Sequence, residues 1–123
     1  MIVLGIETSC DETSASIVKD SKVLSNIVKT QSIHVEYGGV VPDLASKDHE
    51  KKILNVVNAS IKEAKITLSD VDAIAVTYGS GLLGSLIVGL NFAKGLSVGL
   101  GIPIIGISHL IGHLSSSFIN NKV

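Results

Sequence analysis

The first eighteen residues, MIVLGIETSCDETSASIV, constrain the topology of this chain more than any other stretch. An apolar run at 2–8 enters a polar stretch and returns to Ala15, Ile17 and Val18. The two apolar segments, 2–8 and 15–18, read as the strands of a hairpin. A plain hairpin closes with about two to five residues, usually including Gly or Asn-Gly. Here residues 7–14 contain no Gly and no Pro, but three carboxylates, four hydroxyls and a thiol: Glu7, Thr8, Ser9, Cys10, Asp11, Glu12, Thr13 and Ser14. Polar groups displayed from rigid strands are a common way to build a binding site. A third strand is expected at 23–30, after a turn at Asp20, Ser21 and Lys22, so three strands precede any helix.

Pro42 suits a first helical position, and Ile53, Val57, Ile61 and Ala64, with Leu54 beside them, recur at helical spacing to about Lys65. Lys47, Glu50, Lys51, Lys52 and Lys62 lie on the wet side and read as a solvated helix face. Residues 73–78 form a fourth strand ended by Gly79-Ser80-Gly81, and 82–100 a second helix. Ser85, Gly89 and Ala93 give that helix an edge of small residues, with Gly95 and Gly99 beyond. Leu83, Leu86, Ile87 and Leu90 leave almost no polar face, which predicts a helix buried nearly all round. Residues 104–107 form a fifth strand, and Ser108 can cap a last helix starting at His109. The expected fold class is α/β in a single domain of 123 residues. Its sheet is mixed, of about five strands, in the order β-β-β-α-β-α-β-α.

Only four residues are aromatic, so the core must be aliphatic. The formal net charge of −1 argues neither for nor against a nucleic-acid partner, but its distribution is uneven. All eleven acids lie at or before Asp72, and Lys94 and Lys122 are the fixed charges beyond it. That half is expected to be buried or covered by a partner. There is no Arg, which removes bidentate guanidinium clamps on phosphate. A single cysteine, Cys10, excludes an internal disulfide and fits a reducing compartment. The chain starts directly on a strand, so no signal peptide and a cytoplasmic location are expected. Lys94, Pro103 and frequent Gly and Ser speak against a membrane span, which wants about 20 strongly apolar residues.

His109-Leu110-Ile111-Gly112-His113 places two imidazoles four apart, on one face of a helix. Such a pair can share a metal ion, but a catalytic ion wants a third protein ligand. Within the chain the candidates are Glu7, Asp11 and Glu12. Two unrelated packed or surface histidines remain the alternative. Gly79-Ser80-Gly81-Leu82-Leu83-Gly84 matches GxGxxG between a strand and a helix. A dinucleotide site also wants an acid about 20 residues later, and none follows Asp72. Backbone N–H groups at this helix start can nevertheless face an anion, which makes Thr8, Ser9, Gly79, Ser80 and Gly81 the candidate substrate or anion loop. Cys10 is not expected to be a nucleophile, because neighbouring carboxylates raise a thiol pKa. His34 and His49 read as ordinary surface histidines.

Four motifs in order carry a resemblance across nearly the whole chain: GIETSCDETS, GGVVPDLASKDH at 38–49, TYGSGLLGSLIVGLNFAKGLS at 77–97, and HLIGH at 109–113. Together they resemble the TsaD family of tRNA threonylcarbamoyltransferases, once named O-sialoglycoprotein endopeptidase and filed as peptidase M22. The resemblance implies an actin-like, sugar-kinase and Hsp70 type of lobe, ribonuclease H-like in its sheet. It implies transfer of threonylcarbamoyl from its ATP-derived adenylate to an adenine beside the tRNA anticodon. It further implies that His109 and His113 bind iron or zinc, and that Asp11 and Glu12 contribute to catalysis. TsaB-like and TsaE-like proteins are the implied partners, with tRNA bound by the complete complex.

Asp43 and Lys47 stand where that family usually has Glu and Arg, and Ser80 where it usually has Pro. Family members are more than twice as long, with a second half that supplies a third, aspartate ligand and most of the adenylate pocket. The chain therefore looks like an N-terminal lobe. A lone lobe exposes apolar surface, and association through the Ser85, Gly89 and Ala93 edge is expected. Two rivals differ in class. A TsaB-like assembly partner would lack the histidine pair. A metallopeptidase of the HExxH type would carry Glu where this chain has Leu110.

Overall fold

The computed structural model describes residues 1–9, 12–30, 42–79 and 83–108. Strands β1 (Ile2–Glu7), β2 (Glu12–Lys19) and β3 (Lys22–Thr30) come first. Helix α1 (Pro42–Glu63), a 3-10 turn (Leu68–Asp70), strand β4 (Ala73–Tyr78), helix α2 (Leu83–Leu100) and strand β5 (Ile104–Ser108) follow. The strands form one sheet in the order β3-β2-β1-β4-β5. β1, β2 and β3 pair antiparallel, whereas β1, β4 and β5 run parallel. The mixed five-stranded α/β architecture is the one expected from the sequence. The last expected helix, from His109, lies outside the described residues.

Local chemistry sets each junction. The β2–β3 turn is Asp20-Ser21, with φ of 50° and 68°, the left-handed pair that suits the right-handed twist of a hairpin. The Asp20 carboxylate also accepts the N-terminal ammonium at 2.8 Å. That hydrogen bond and the charge behind it hold its carboxyl below the ordinary carboxylate value. Asp72 fastens the starts of β1 and β4: its side chain accepts Ile2 N at 2.7 Å, and its own N–H donates to Ile2 O at 2.8 Å.

Asp70 closes the 3-10 turn by accepting Thr67 N at 2.8 Å and Thr67 Oγ1 at 3.1 Å. These bonds, the backbone one foremost, lower its carboxyl pKa from 3.8. A carboxyl lowered in the folded state contributes its full stability above the ordinary value, and loses it as the pH falls through the folded one. Asp70→Asn should therefore weaken the fold at neutral pH and flatten its loss of stability below about pH 4. Urea melts of both proteins from pH 2 to 7 check this.

Both helices cover one face of the sheet. The core between them and the strands is aliphatic, as expected: Leu4, Ile6, Ala15 and Ile17 from β1 and β2, Ile74 and Val76 from β4, Ile53, Val56 and Val57 from α1, and Ala93 from α2. In-register pairs Leu4↔Ile17, Ile6↔Ala15, Leu4↔Ile74 and Ile6↔Val76 put these strand residues on the same face.

Three buried polar ties fix the helices over that face. Thr13 Oγ1 lies 2.6 Å from His49 Nδ1, joining β2 to α1. Ser25 Oγ meets Ser60 Oγ at 2.7 Å and Ser60 O at 2.8 Å, joining β3 to α1. Thr8 Oγ1 donates to Ser85 O at 2.6 Å and accepts Gly89 N at 3.2 Å, joining the exit of β1 to α2.

Several sequence expectations are corrected. His49 is fully buried, not a surface histidine; it continues the apolar stripe of α1 one turn before Ile53. Leu54 is 56% exposed, and Val56 takes its place in the core. β2 begins at Glu12, so Glu12, Thr13 and Ser14 belong to a strand and not to the turn. α2 is not buried all round: Leu83 is 74% exposed, Ile87 44% and Val98 84%. The small-residue edge expected to pair with another protein is the edge this helix lays on its own sheet, with Ser85, Gly89 and Ala93 buried. By length and composition α2 could cross a membrane, but Thr8 anchors this edge to the sheet.

Candidate functional site

In sheets with parallel strands, ligands bind beyond the carboxyl ends of the strands. Here β1, β4 and β5 end side by side at Glu7, Tyr78 and Ser108, with Tyr78 and Ser108 in register. The polar first loop, the Gly79 turn and the residues after β5 therefore leave from one edge.

Glu7, the last residue of β1, organises that edge. One carboxylate oxygen accepts Ser9 N at 2.6 Å and the other accepts Thr77 Oγ1 at 2.6 Å. Glu7 and its cross-strand neighbour Ser14 lie on the face away from the helices, as does Thr77. Together with Gly5, Ser16, Ala75 and Ile107 they line a shallow open depression. Gly5 needs to be small there, since a Cβ would stand 2.8 Å from Ser16 Oγ.

Thr8 and Ser9 are both buried. The Thr8 hydroxyl is bonded within the fold to α2, so its proton is directed at Ser85 O. Gly79 begins the turn after β4 with φ of 67°, a left-handed conformation that favours glycine. Glu12 is exposed at the start of β2, opposite Thr30. Asp11, Cys10, Ser80, Gly81, His34, His109 and His113 lie outside the described residues. His109 follows directly on Ser108, which ends β5 at the same edge as Glu7. Among the described residues no group of three or more His, Cys, Asp and Glu side chains is placed to hold a metal.

The structure thus gathers Glu7, Thr8, Ser9 and Gly79 at one edge and sets Glu12 at the far side of the first loop. Thr77 was missed in the sequence because nothing marks a strand threonine as the partner of an acid 70 positions earlier. The His49–Thr13 and Ser25–Ser60 ties left a readable trace. His49 and Ser60 are polar residues on the apolar stripe of α1, where a buried partner is required.

Comparison with known proteins agrees with this architecture. Residues 22–123 match the family model TsaD, tRNA N6-adenosine threonylcarbamoyltransferase. A transferase of that name from Fusobacterium nucleatum is 57% identical over all of this chain, which spans 37% of that protein. One from Caldicellulosiruptor bescii is 54% identical over 97% of the chain and is matched over 36% of its own length. The chain thus spans about a third of the length of these relatives. Among solved structures, YeaZ from Pseudomonas aeruginosa superposes with a TM-score of 0.76 at 20% identity, covering 98% of this chain and 49% of that one. Thermus thermophilus RuvC in complex with Holliday junction substrate superposes at 0.54 with 14% identity, over 96% of this chain and 69% of that one. Both likenesses show a shared fold, consistent with an actin-like, ribonuclease H-like lobe.

Proposed function

Because the chain belongs to the TsaD family, tRNA N6-adenosine threonylcarbamoyltransferases, we propose that it forms the N-terminal lobe of an enzyme that moves threonylcarbamoyl from its adenylate to an adenine beside the tRNA anticodon. The observation that carries this reading is the family match over residues 22–123. The exits of β1, β4 and β5 at one sheet edge, before the first loop, the Gly79 turn and the HLIGH motif in sequence, support it.

Each part of the edge has a task. Asp11 or Glu12 orients the incoming amine or accepts its proton, which requires hydrogen-bond reach of about 2.6–3.2 Å. The Gly79-Ser80-Gly81 turn supplies backbone N–H groups for the adenylate phosphate, while Ser9, its own N–H given to Glu7, holds the first loop beside it. Thr8 serves by seating α2, whose N-terminal end follows that turn. His109 and His113 hold iron or zinc; two imidazoles with a carboxylate form a donor set suited to either ion. When bound, the metal supplies Lewis-acid polarisation of the reacting carbonyl.

We further propose a TsaB-like lobe as partner, with TsaE-like protein and tRNA joining the complete complex in the cytoplasm. The Ser85, Gly89 and Ala93 edge is already packed, so the contact falls to the opposite side of α2, where Leu83, Ile87 and Val98 are exposed. A pure assembly role is the second reading, favoured by that exposed apolar side.

Metal content and turnover separate the two. As an enzyme, the complete protein binds iron or zinc, and His109→Ala with His113→Ala releases it. Incubated with threonylcarbamoyl-adenylate and tRNA, it forms the modified nucleoside. An assembly lobe binds the partner and forms none. Metal content unchanged in the double variant would remove the metal assignment.

A further inference from the structure

We propose that Glu7 is a positioning residue that couples the two loops of the site, with Thr77 as its essential partner; its role in transfer rests on the activity proposed above. Ser9, held by one oxygen of Glu7, opens the segment that carries Asp11. Thr77, held by the other oxygen, lies two positions before Gly79. A single half-buried carboxylate therefore spans from the exit of β1 to the exit of β4.

Backbone pairing alone does not provide this link. The parallel β1–β4 register ends at Ile6↔Val76, so Glu7 and Thr77 are the first positions beyond it. Past that point the β1–β4 ladder gives no further link between the two strand exits, and the Glu7 side chain supplies one. Charge-assisted bonds are short and directional, and both bonds here are 2.6 Å. The neighbouring Thr8 bonds to α2 instead and so ties the loop to the helix layer. The Glu7 clamp ties the first loop to the strand that feeds the glycine turn. Groups that meet across a reacting centre lose rate steeply when displaced by about 1 Å, so this clamp acts on turnover more than on folding.

Thr77→Val tests the coupling, since it removes the hydroxyl and keeps the shape of a β-branched strand residue. In the complete protein, kcat for threonylcarbamoyl transfer should fall by about tenfold to a hundredfold, with KM for the adenylate and tRNA within about twofold. Backbone amide exchange at Ser9 should quicken although Ser9 is remote in sequence, while exchange at Leu4 and Ile17 in the core stays as it was. Thr77→Ser should restore both kcat and Ser9 protection. Unchanged Ser9 exchange in Thr77→Val would overturn the coupling, and quickened exchange with undiminished kcat would overturn the positioning role. Should the wild-type protein form no modified nucleoside at all, the transferase reading falls, and Ser9 exchange still decides whether Glu7 couples the loops.

Discussion

Gly89→Ala should lower the melting temperature, while Gly95→Ala, on the same helix, should raise it. The difference lies in what each new methyl meets. At Gly89 it would stand 2.5 Å from Thr8 Oγ1, 3.4 Å from Thr8 Cγ2 and 3.5 Å from Thr8 Cβ. Thr8 cannot turn aside cheaply: it is β-branched, and its hydroxyl is engaged by Ser85 O and Gly89 N. Rotation would bring the methyl group into the space the oxygen vacates. The helix must lift instead, and overpacking of this kind costs about 1–3 kcal/mol. The gain in helix propensity on replacing Gly by Ala, about 0.8–1.0 kcal/mol, offsets only part of it. At Gly95 nothing lies within 4 Å of the new atom, so the propensity gain stands alone. With about 4 °C of melting temperature per kcal/mol in a domain of this size, thermal melts should separate the two variants in sign. Equal stabilisation by both would mean that α2 does not rest on Thr8.

His49→Ala should be the most damaging single change in the helix layer. The imidazole is fully buried, and its removal leaves a void one turn before Ile53 in α1. It also strips Thr13 Oγ1 of its 2.6 Å partner. Cavity formation at a side chain of this size costs about 2–4 kcal/mol, and a buried polar atom left without its bond about 1–3 kcal/mol more at most. Thr13→Val, which keeps the shape and loses the hydroxyl, should cost about 1–3 kcal/mol through the same bond. Because the two residues share that bond, the double variant should lose less than the sum, by about 0.5–3 kcal/mol. Denaturant melts of the four proteins measure that coupling directly, and strict additivity would show that the pair contributes no shared bond.

Much of this fold is legible in residue spacing. β4 and the start of α1 at Pro42 fall where periodicity and turn residues place them, because each carries one strong local signal. The errors share a physical origin: they sit where composition and packing point in different directions. Glu12, Thr13 and Ser14 have the composition of a turn, yet pairing to β1 on one side and β3 on the other holds them in a strand. α2 is apolar all round, so hydrophobicity cannot say which edge is buried. The smallest residues decide it, because only they let the helix approach the sheet closely enough for Gly89 N to reach Thr8. His49 was misplaced because a histidine among lysines reads as wet, although its spacing from Ile53 belongs to the buried stripe.

The site follows the same pattern. Motif order pointed to the first loop, the glycine turn and the paired histidines, and the parallel strands β1, β4 and β5 end at one edge, at Glu7, Tyr78 and Ser108. The Glu7–Thr77 clamp was not legible, because it depends on which strands become neighbours. Strand β4 pairs with β1 across more than sixty intervening residues, and local sequence carries no trace of that choice until the sheet order is known.

The most direct measurement of the central claim is the amount of threonylcarbamoyladenosine formed in tRNA by the complete protein supplied with threonylcarbamoyl-adenylate. Digested tRNA is analysed by mass spectrometry for wild type and for the paired His109→Ala and His113→Ala variant. The nucleoside is expected from wild type, and at least about a hundredfold less from the variant, the scale on which loss of a preorganised electrophilic group acts. No nucleoside from the wild-type protein, or equal amounts from both, would contradict it.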